Sequence, residues 1–147
     1  AGDQPVAADY DGDGKADIAI VRNAAGAVEW WIEKSSGGSQ ALQFGASTDK
    51  AVPGDYTGDG KTDVAIWRPS NGNWYVIRSE NGSYYAFPFG TNGDVPAPAD
   101  YDGDGKTDPT LFRPTVATWF LAKSTAGSQI IQFGANGDKP IASAYIP

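Results

Sequence analysis

The chain has 147 residues, of which 19 are Gly, 10 are Pro and 12% are aromatic, a composition that favours many short strands over long helices. It contains no Cys and no His, so disulfide bonds cannot stabilise it, and zinc sites and Ser-His catalysis are effectively excluded. Its 18 acidic and 11 basic residues give a formal charge of −7, which argues against nucleic acid and anionic membrane surfaces as partners. It also lacks the run of about 18 apolar residues that a membrane span requires.

Three nine-residue acidic segments divide the chain into repeats. Residues 9–17 read Asp-Tyr-Asp-Gly-Asp-Gly-Lys-Ala-Asp, and closely similar segments begin 46 and 45 residues further on, at 55–63 and 100–108. An arginine, a tryptophan and a Phe-Gly pair follow each segment in the same order: Arg22, Trp30 and Phe44; Arg68, Trp74 and Phe89; Arg113, Trp119 and Phe133. The shared period predicts a repeated structural unit and not a recurring loop alone.

The predicted strands follow the acidic segments in chain order. After the first segment, residues 18–21 are continuously apolar, as expected for a strand whose sheet is covered on both faces. The second unit is the clearest: strands are predicted at 51–56 before its acidic segment and at 64–67, 74–77 and 84–87 after it. The dipeptides Asn71-Gly72 and Asn81-Gly82 predict tight type I′ hairpins. Each unit is therefore predicted to be a four-stranded antiparallel meander with the acidic segment between its first two strands.

The third unit departs from this pattern at its second strand. Pro109 stands where that strand should open and cannot donate a ladder hydrogen bond, so we expect the start of the strand to lie at an edge or to be irregular. At the end of the chain, residues 137–145 mirror 93–101, the first strand of a unit, but no acidic segment follows.

The fold class predicted from these elements is all-β, with three four-stranded antiparallel units of the propeller-blade type and one extra C-terminal strand. The chain is treated as a single repeat domain, 1–147, with units at about 3–48, 49–93 and 94–137 and the extra strand at 138–147. Three such units cannot close a ring alone. The chain is therefore predicted either to belong to a longer array or to form a homo-oligomer or filament through strand 138–147.

The acidic segments have the oxygen-rich ligand pattern that calcium prefers. Carboxylates stand at positions one, three, five and nine, Gly stands at position six where the chain must turn, and a backbone carbonyl is available at position seven. The predicted ligands are Asp9, Asp11, Asp13, Lys15 (carbonyl) and Asp17; Asp55, Thr57, Asp59, Lys61 (carbonyl) and Asp63; and Asp100, Asp102, Asp104, Lys106 (carbonyl) and Asp108. Three calcium ions are expected, which would change the formal charge from −7 to −1. The site in the second segment should be the weakest because Thr57 replaces a carboxylate at position three.

An EF-hand is excluded on two grounds. Position twelve is Ile20, Ile66 or Leu111, where an EF-hand needs a bidentate Glu, and strand-like runs replace the exit helix. The alternative without a metal is a solvated acidic turn, because Asp-Gly is common in turns generally.

The acidic pattern between the first two strands, with Phe-Gly closing each unit, resembles the FG-GAP/VCBS repeats of integrin α-subunit propellers and of large secreted bacterial proteins. The resemblance covers nearly the whole chain. It implies calcium bound by Asp9, Asp11, Asp13, Asp17 and their counterparts, a β-propeller, an extracellular location, and a role in adhesion or ligand binding. The chain departs from that pattern in the number of units, in Thr57 and in Pro109.

Other recurring residues allow two interpretations. Trp30, Trp74 and Trp119 are each followed by a second aromatic residue and are interpreted chiefly as packing between units, with stacking on sugar rings as the alternative. The three repeated arginines are interpreted as structural ion-pair or hydrogen-bond partners, with binding of acidic sugars as the alternative. Four further aspartates recur six residues before each acidic segment or its missing fourth copy. They are interpreted as turn-forming, with a contribution to a metal site as the alternative: Asp3, Asp49, Asp94 and Asp138.

The function predicted from the sequence is an extracellular, calcium-stabilised structural or adhesion module that acts through self-assembly or by binding a protein ligand. No constellation for catalysis is apparent, so an enzyme is not predicted. A lectin-like carbohydrate-binding module and an accessory repeat segment of a larger secreted enzyme are the alternatives.

Overall fold

The structure is a computed structural model that describes residues 2–141. Its regular elements are twelve strands and one short turn of 3-10 helix. The strands are β1 (Gln4–Pro5), β2 (Ile18–Ala24), β3 (Ala27–Glu33), β4 (Ser39–Ala46), β5 (Lys50–Ala51), β6 (Val64–Arg68), β7 (Asn73–Ile77), β8 (Tyr84–Pro88), β9 (Val95–Pro96), β10 (Thr110–Arg113), β11 (Thr118–Lys123) and β12 (Gly127–Gln132), and the 3-10 turn is Pro114–Val116.

The strands form three separate antiparallel sheets of four strands each. Within each sheet the spatial order is the chain order: β1 to β4 in the first sheet, β5 to β8 in the second and β9 to β12 in the third. The predicted all-β fold and the predicted meander are thereby confirmed. The first strand of every sheet is only two residues long. The strand predicted at 51–56 consists of β5 and a single bridge between Gly54 and Asp63.

The hairpin turns of the second sheet differ from the prediction. Type I′ requires positive φ at both turn residues, but only the glycines have it, at 70° for Gly72 and 72° for Gly82. The N–H groups of these glycines donate to the carbonyls of Arg68 and Arg78 over 2.9 Å in both turns, so each turn is a longer loop.

Two local features explain these turns. The side-chain oxygen of Asn71 accepts the N–H of Asn73 at 3.0 Å, and that of Asn81 accepts the N–H of Ser83 at 2.9 Å, which favours a wider turn. The two-residue turn with two positive φ values lies instead in the first sheet, between β2 and β3, at Ala25 (50°) and Gly26 (88°).

Because side chains alternate across a strand, each sheet has two faces, and each face can pack against a neighbouring sheet. We call the face toward the following sheet the trailing face and the face toward the preceding sheet the leading face. The trailing face of the first sheet, with Val21, Trp30 and Ile32, packs on Val64 and Ile66 of the second sheet in one buried cluster. The trailing face of the second sheet, with Trp67, Trp74 and Val76, packs on Leu111 of the third. Face-to-face stacking of consecutive sheets thus forms the core.

The repeated tryptophans hold the Phe-Gly turns in place. The indole Nε1 of Trp30 donates to the carbonyl of Phe44 at 3.0 Å, and that of Trp74 donates to the carbonyl of Phe89 at 2.9 Å. Trp30 and Trp74 are 0% exposed, which confirms their packing role. At this burial neither residue presents an indole face on which a sugar ring could stack. Trp119 makes the corresponding bond to the carbonyl of Phe133 at 3.1 Å but is only half-buried.

Each repeated arginine pairs with the aspartate that recurs nineteen residues before it. The guanidinium of Arg68 donates to both carboxylate oxygens of Asp49, at 2.9 and 2.8 Å, and Arg113 binds Asp94 in the same way at 2.7 and 2.9 Å. The Arg22–Asp3 pair in the first sheet has the same geometry but is more exposed. The structural interpretation of the arginines is confirmed.

The recurring aspartates also form turns, as predicted. Asp49 accepts the N–H of Ala46 at 2.8 Å, and Asp138 accepts the N–H of Ala135 at 2.8 Å. The same carboxylate therefore joins the end of one sheet to the second strand of the next. The prediction at Pro109 is also confirmed, because β10 begins one residue later, at Thr110. Of the predicted extra strand 138–147, residues 142–147 lie outside the described residues, and no strand is assigned within 138–141.

Candidate metal centre

The aspartate at position one organises each acidic loop. One carboxylate oxygen of Asp9 accepts the N–H of Gly12 at 2.6 Å, and the other accepts the N–H of Gly14 at 2.8 Å. Asp55 and Asp100 bind the corresponding glycines of their loops in the same way. Gly12 and Gly14 have φ of 80° and 84°, a conformation that side chains with a Cβ rarely adopt. The two glycines in each loop are therefore needed for the chain to wrap around the carboxylates.

The aspartate at position nine is buried, at 1% exposed for Asp17 and 0% for Asp63 and Asp108. One carboxylate oxygen of Asp17 accepts the N–H of Tyr10 at 2.8 Å, and the other accepts the N–H of Ser35 at 2.7 Å. The second and third loops repeat both bonds. These bonds offset much of the cost of burying the carboxylates and connect each loop to the turn after the third strand of its own sheet.

A serine in that turn, which the sequence prediction missed, completes the connection. The hydroxyl of Ser35 donates to the position-five carboxylate of Asp13 at 2.7 Å, and Ser79 donates to Asp59 at 2.7 Å. Ser124 binds Asp104 in the third loop. The serine lies sixteen or eighteen residues after position nine in every unit, so the repeat itself contained the signal.

The carboxylates of the first and third loops converge. Oxygens of Asp9, Asp11 and Asp17 lie within 4.8 Å of one another, as do those of Asp100, Asp102 and Asp108. In these two loops, three of the four predicted carboxylates, those at positions one, three and nine, are thus brought together. The position-five carboxylates of Asp13 and Asp104 are not in these groups. Within the described residues no such group forms in the second loop, where Thr57 replaces the position-three carboxylate.

The local electrostatics favour charged carboxylates at position three. The hydrogen bond from Ser36 lowers the pKa of Asp11. Burial acts to raise the pKa of Asp102, but the hydrogen bonds from Thr125 and Ala126 outweigh it, so that pKa is also lowered. In the second loop, burial raises the pKa of Asp63.

Asp102 also provides a test of whether a cation fits. Its Oδ2 accepts the hydroxyl of Thr125 at 2.8 Å, whereas its Oδ1 is buried without a hydrogen-bond partner among the described residues. A buried carboxylate oxygen without a partner is costly, and a hard cation held by Asp100, Asp102 and Asp108 would satisfy it. The donor set therefore fits calcium.

Consecutive loops touch one another. The N–H of Thr62 in the second loop donates to the carbonyl of Asp9 in the first at 2.7 Å, and the N–H of Thr107 in the third donates to the carbonyl of Asp55 at 2.6 Å. The side chain of Lys61 also lies against Gly12, and that of Lys106 lies against Gly58. The three loops consequently form one hydrogen-bonded row.

The chain is an all-β repeat protein: each unit is a four-stranded sheet with an acidic loop between its first two strands. This architecture fits a propeller-type repeat module. The model of the FG-GAP-like repeat matches the chain twice, at residues 9–66 and 55–108, which together cover about two thirds of it. The chain therefore belongs to the FG-GAP-like repeat family. No curated protein and no solved structure gave a significant match. Within residues 2–141 the structure has no helix of the length and apolarity needed to cross a bilayer.

Proposed function

We propose that the chain is an extracellular, calcium-stabilised structural or adhesion module of the β-propeller type. The observation that carries the proposal is the convergence of three carboxylates in the first and third loops, with one buried oxygen of Asp102 left without a partner. FG-GAP-like repeats commonly bind calcium and are typically extracellular, and membership in that family supports both parts of the proposal.

Calcium would be held by carboxylate oxygens at positions one, three and nine, with position five and the position-seven carbonyl as further predicted ligands. The groups available are all hard oxygens, and calcium accepts six to eight such ligands in flexible geometry, whereas magnesium demands a near-ideal octahedron. Three ions are proposed for the three loops. The second loop would bind most weakly because the Thr57 hydroxyl is neutral.

Each ion would stabilise the fold because it binds a loop that already joins separate strands. Asp17 connects the first loop to Ser35 in the turn after β3, and the loop itself joins β1 to β2. A ligand that binds only the folded state stabilises it by about 2.7 kcal/mol per site when its concentration is a hundred times Kd. In a chain without cysteine, calcium would take the place of disulfide bonds.

A binding role is favoured over catalysis because the clustered acids are already engaged. Both oxygens of Asp9 accept backbone N–H groups, and Asp13 accepts a serine hydroxyl, so neither is poised to exchange protons with a substrate. The lectin alternative has less support, since Trp30 and Trp74 are fully buried.

Thermal unfolding in calcium and in chelator tests the proposal. We expect Tm to rise with calcium and to respond much less to magnesium, and we expect calorimetric titration to give three sites, two of them tighter. Asp102→Asn should remove or weaken one tight site, whereas Glu29→Gln, a charge-matched change on β3 away from the loops, should leave all three. Identical unfolding curves in calcium and in chelator would refute calcium stabilisation.

A further inference from the structure

The stack of three sheets ends in two apolar faces. On the leading face of the first sheet, Ile18 is 74% and Trp31 is 47% exposed, and together with Ile20 and Ala41 they line a groove of about 240 Å³. On the trailing face of the third sheet, Ile131 is 39% and Phe133 is 71% exposed. These faces lie at opposite ends of the stack.

Each face matches one that is covered inside the chain. Ile18 corresponds in the repeat to Val64, which is only 7% exposed because the first sheet packs on it. Phe133 corresponds to Phe44 and Phe89, which are both partly buried against a core cluster. The leading face of the first sheet and the trailing face of the third are thus the two halves of an interface that the molecule forms twice internally.

The strand pairing places the apolar residues at matching levels on the two faces. Ile20 lies opposite Trp31 on the leading face of the first sheet, where Ile66 lies opposite Tyr75 in the second. On the trailing face of the third sheet Phe112 lies opposite Trp119, where Trp67 lies opposite Trp74 in the second. A further sheet stacked on the third would meet half-buried Trp119 where the third sheet meets Trp74 of the second, whereas Phe112 is already buried.

The row of acidic loops has matching ends as well. Thr62 and Thr107 donate their N–H groups to the preceding loop, and the residue at that position in the first loop is Ala16. The carbonyls of Asp9 and Asp55 accept from the following loop, and the corresponding carbonyl in the third loop is that of Asp100. A donor position therefore stands at one end of the row and an acceptor position at the other.

We propose that a second copy of this chain stacks on these faces, with the trailing face of one copy on the leading face of the other. The inference deepens the proposed function and rests on its propeller-type architecture. Such a contact is heterologous, and it closes only if the rotation between sheets completes a ring. With the three sheets of residues 2–141, two copies supply six, which lies within the four to eight of propellers, whereas three copies would supply nine. The assembly is therefore a dimer with two identical interfaces.

The segment 137–141 must move to admit the second copy. Pro140 and Ile141 line the same cavity as Pro5 and Val6 and as the first strands of the other sheets, so they stand where the first strand of a fourth sheet would lie. In the second copy that place belongs to β1, which pairs with β2 and directly follows Asp3, the ion-pair partner of Arg22. The described residues 138–141 form no strand, so displacing them breaks no sheet pairing there.

Sedimentation velocity of the full chain in calcium, over a dilution series, tests the dimer. We expect a species of about twice 15.4 kDa at the upper end of the series. Trp31→Lys on the leading face and Ile131→Lys on the trailing face should each shift the chain to the monomer, because a charge would be buried without a partner. Ile130→Lys is the matched control: Ile130 is the neighbouring residue on β12, is 69% exposed and points to the other face.

Mixing the two interface variants tests the head-to-tail arrangement. A mixed dimer has one interface formed by two native faces and one formed by two altered faces, so mixing Trp31→Lys with Ile131→Lys should restore part of the dimer. If each face instead met its own copy, mixing would restore nothing.

A monomer throughout the series, or a dimer that neither face variant weakens, would overturn the inference. Thermal unfolding of the same samples with and without calcium keeps the two proposals apart. A monomer that calcium still stabilises would overturn the proposed dimer but would support the proposed calcium stabilisation.

Discussion

Thr57 is the residue that distinguishes the second acidic loop from the other two. At position three the first and third loops have Asp11 and Asp102, which accept hydrogen bonds from Ser36 and Thr125. Thr57→Asp should restore the third carboxylate and tighten calcium binding in the second loop about tenfold, or roughly 1.4 kcal/mol. Calorimetric titration of Thr57→Asp and of Thr57→Asn measures the effect of the charge alone, because Asn has the shape of Asp and is neutral. Equal affinities for the two variants would contradict the prediction.

Glu80 is the residue of the second unit that takes the place of a hydroxyl side chain in the other two units. It occupies the turn position that Ser36 and Thr125 occupy in the other units, directly after the serine that binds the loop. In sequence, the second unit therefore has a hydroxyl at position three and a carboxylate in the turn, the reverse of the other two units. Glu80→Gln should weaken the second site several-fold and leave the first and third unchanged. If the two side chains share one ion, the loss should shrink in a Thr57→Asp background, and full additivity would count against a shared site.

Among single residues, the sequence predicted the metal-binding carboxylates but not the side chains that hydrogen-bond to them. The positions of Asp9, Asp11 and Asp17 follow from spacing within one loop, and the structure brings them together. The serine at position 35 and the pairing of Arg68 with Asp49 depend on which strands lie side by side. Local spacing carries no direct information on such contacts, so only their recurrence at a fixed period could have indicated them.

Among the elements, the Phe-Gly turn joins one sheet to the next. Gly90 has a φ of 112°, and a Cβ there would collide with the side chain of Leu111 from the third sheet. Gly82 has a φ of 72° and open space around it. Gly82→Ala should cost about 1 kcal/mol for its backbone conformation alone, whereas Gly90→Ala should cost roughly 3 kcal/mol or more because an overpacked contact is added. Chemical denaturation in calcium measures both, and equal losses would show that Gly90 is needed for backbone conformation only.

The strands were predicted most accurately where their ladders are uninterrupted. β6, β7 and β8 agree with the predicted 64–67, 74–77 and 84–87 to within one residue at each end. The first strand of the unit was predicted too long, because Pro53 has no N–H to donate and pairing resumes only at the Gly54 bridge. The turn types were wrong because loop length depends on where the ladder stops, which residue preferences alone do not fix.

For the whole molecule, the repeat predicts three equivalent sheets, and the structure confirms them. The apolar run at 18–21 predicted that both faces of its sheet are covered. Ala19 and Val21 are buried against the second sheet, whereas Ile18 on the other face is 74% exposed in this chain. Which residues meet across each stack could not be predicted, because that depends on the relative rotation of neighbouring sheets. The closure of the stack into a ring remains a proposal for the same reason.

Three tyrosines make the stability of the whole stack sensitive to alkaline pH. The hydroxyls of Tyr10, Tyr56 and Tyr101 each donate to the carbonyl four residues earlier, at 2.7, 2.7 and 2.8 Å. Burial raises the pKa of all three, with a smaller contribution from the negative charge of the position-nine aspartate in Tyr10 and Tyr101 and of Tyr85 and Asp63 in Tyr56. Their neutral forms are therefore favoured in the folded state.

The raised pKa values of the folded tyrosines predict that stability falls at alkaline pH. Because the folded pKa lies above the unfolded value of about 10, the stabilisation is fully present below pH 10 and is lost as pH rises beyond it. Where the unfolded tyrosines are ionised and the folded ones are not, the free energy of unfolding should fall by about 1.4 kcal/mol per pH unit for each of Tyr10 and Tyr56, and by less for half-buried Tyr101. Tyr56→Phe should lower stability at neutral pH by about 1 kcal/mol for the lost hydrogen bond and should also flatten the alkaline decline. Urea denaturation from neutral to alkaline pH in calcium measures both effects, with Tyr84→Phe at a 70% exposed position as the control. A decline equally steep in Tyr56→Phe and in the native chain would assign the alkaline sensitivity to other groups.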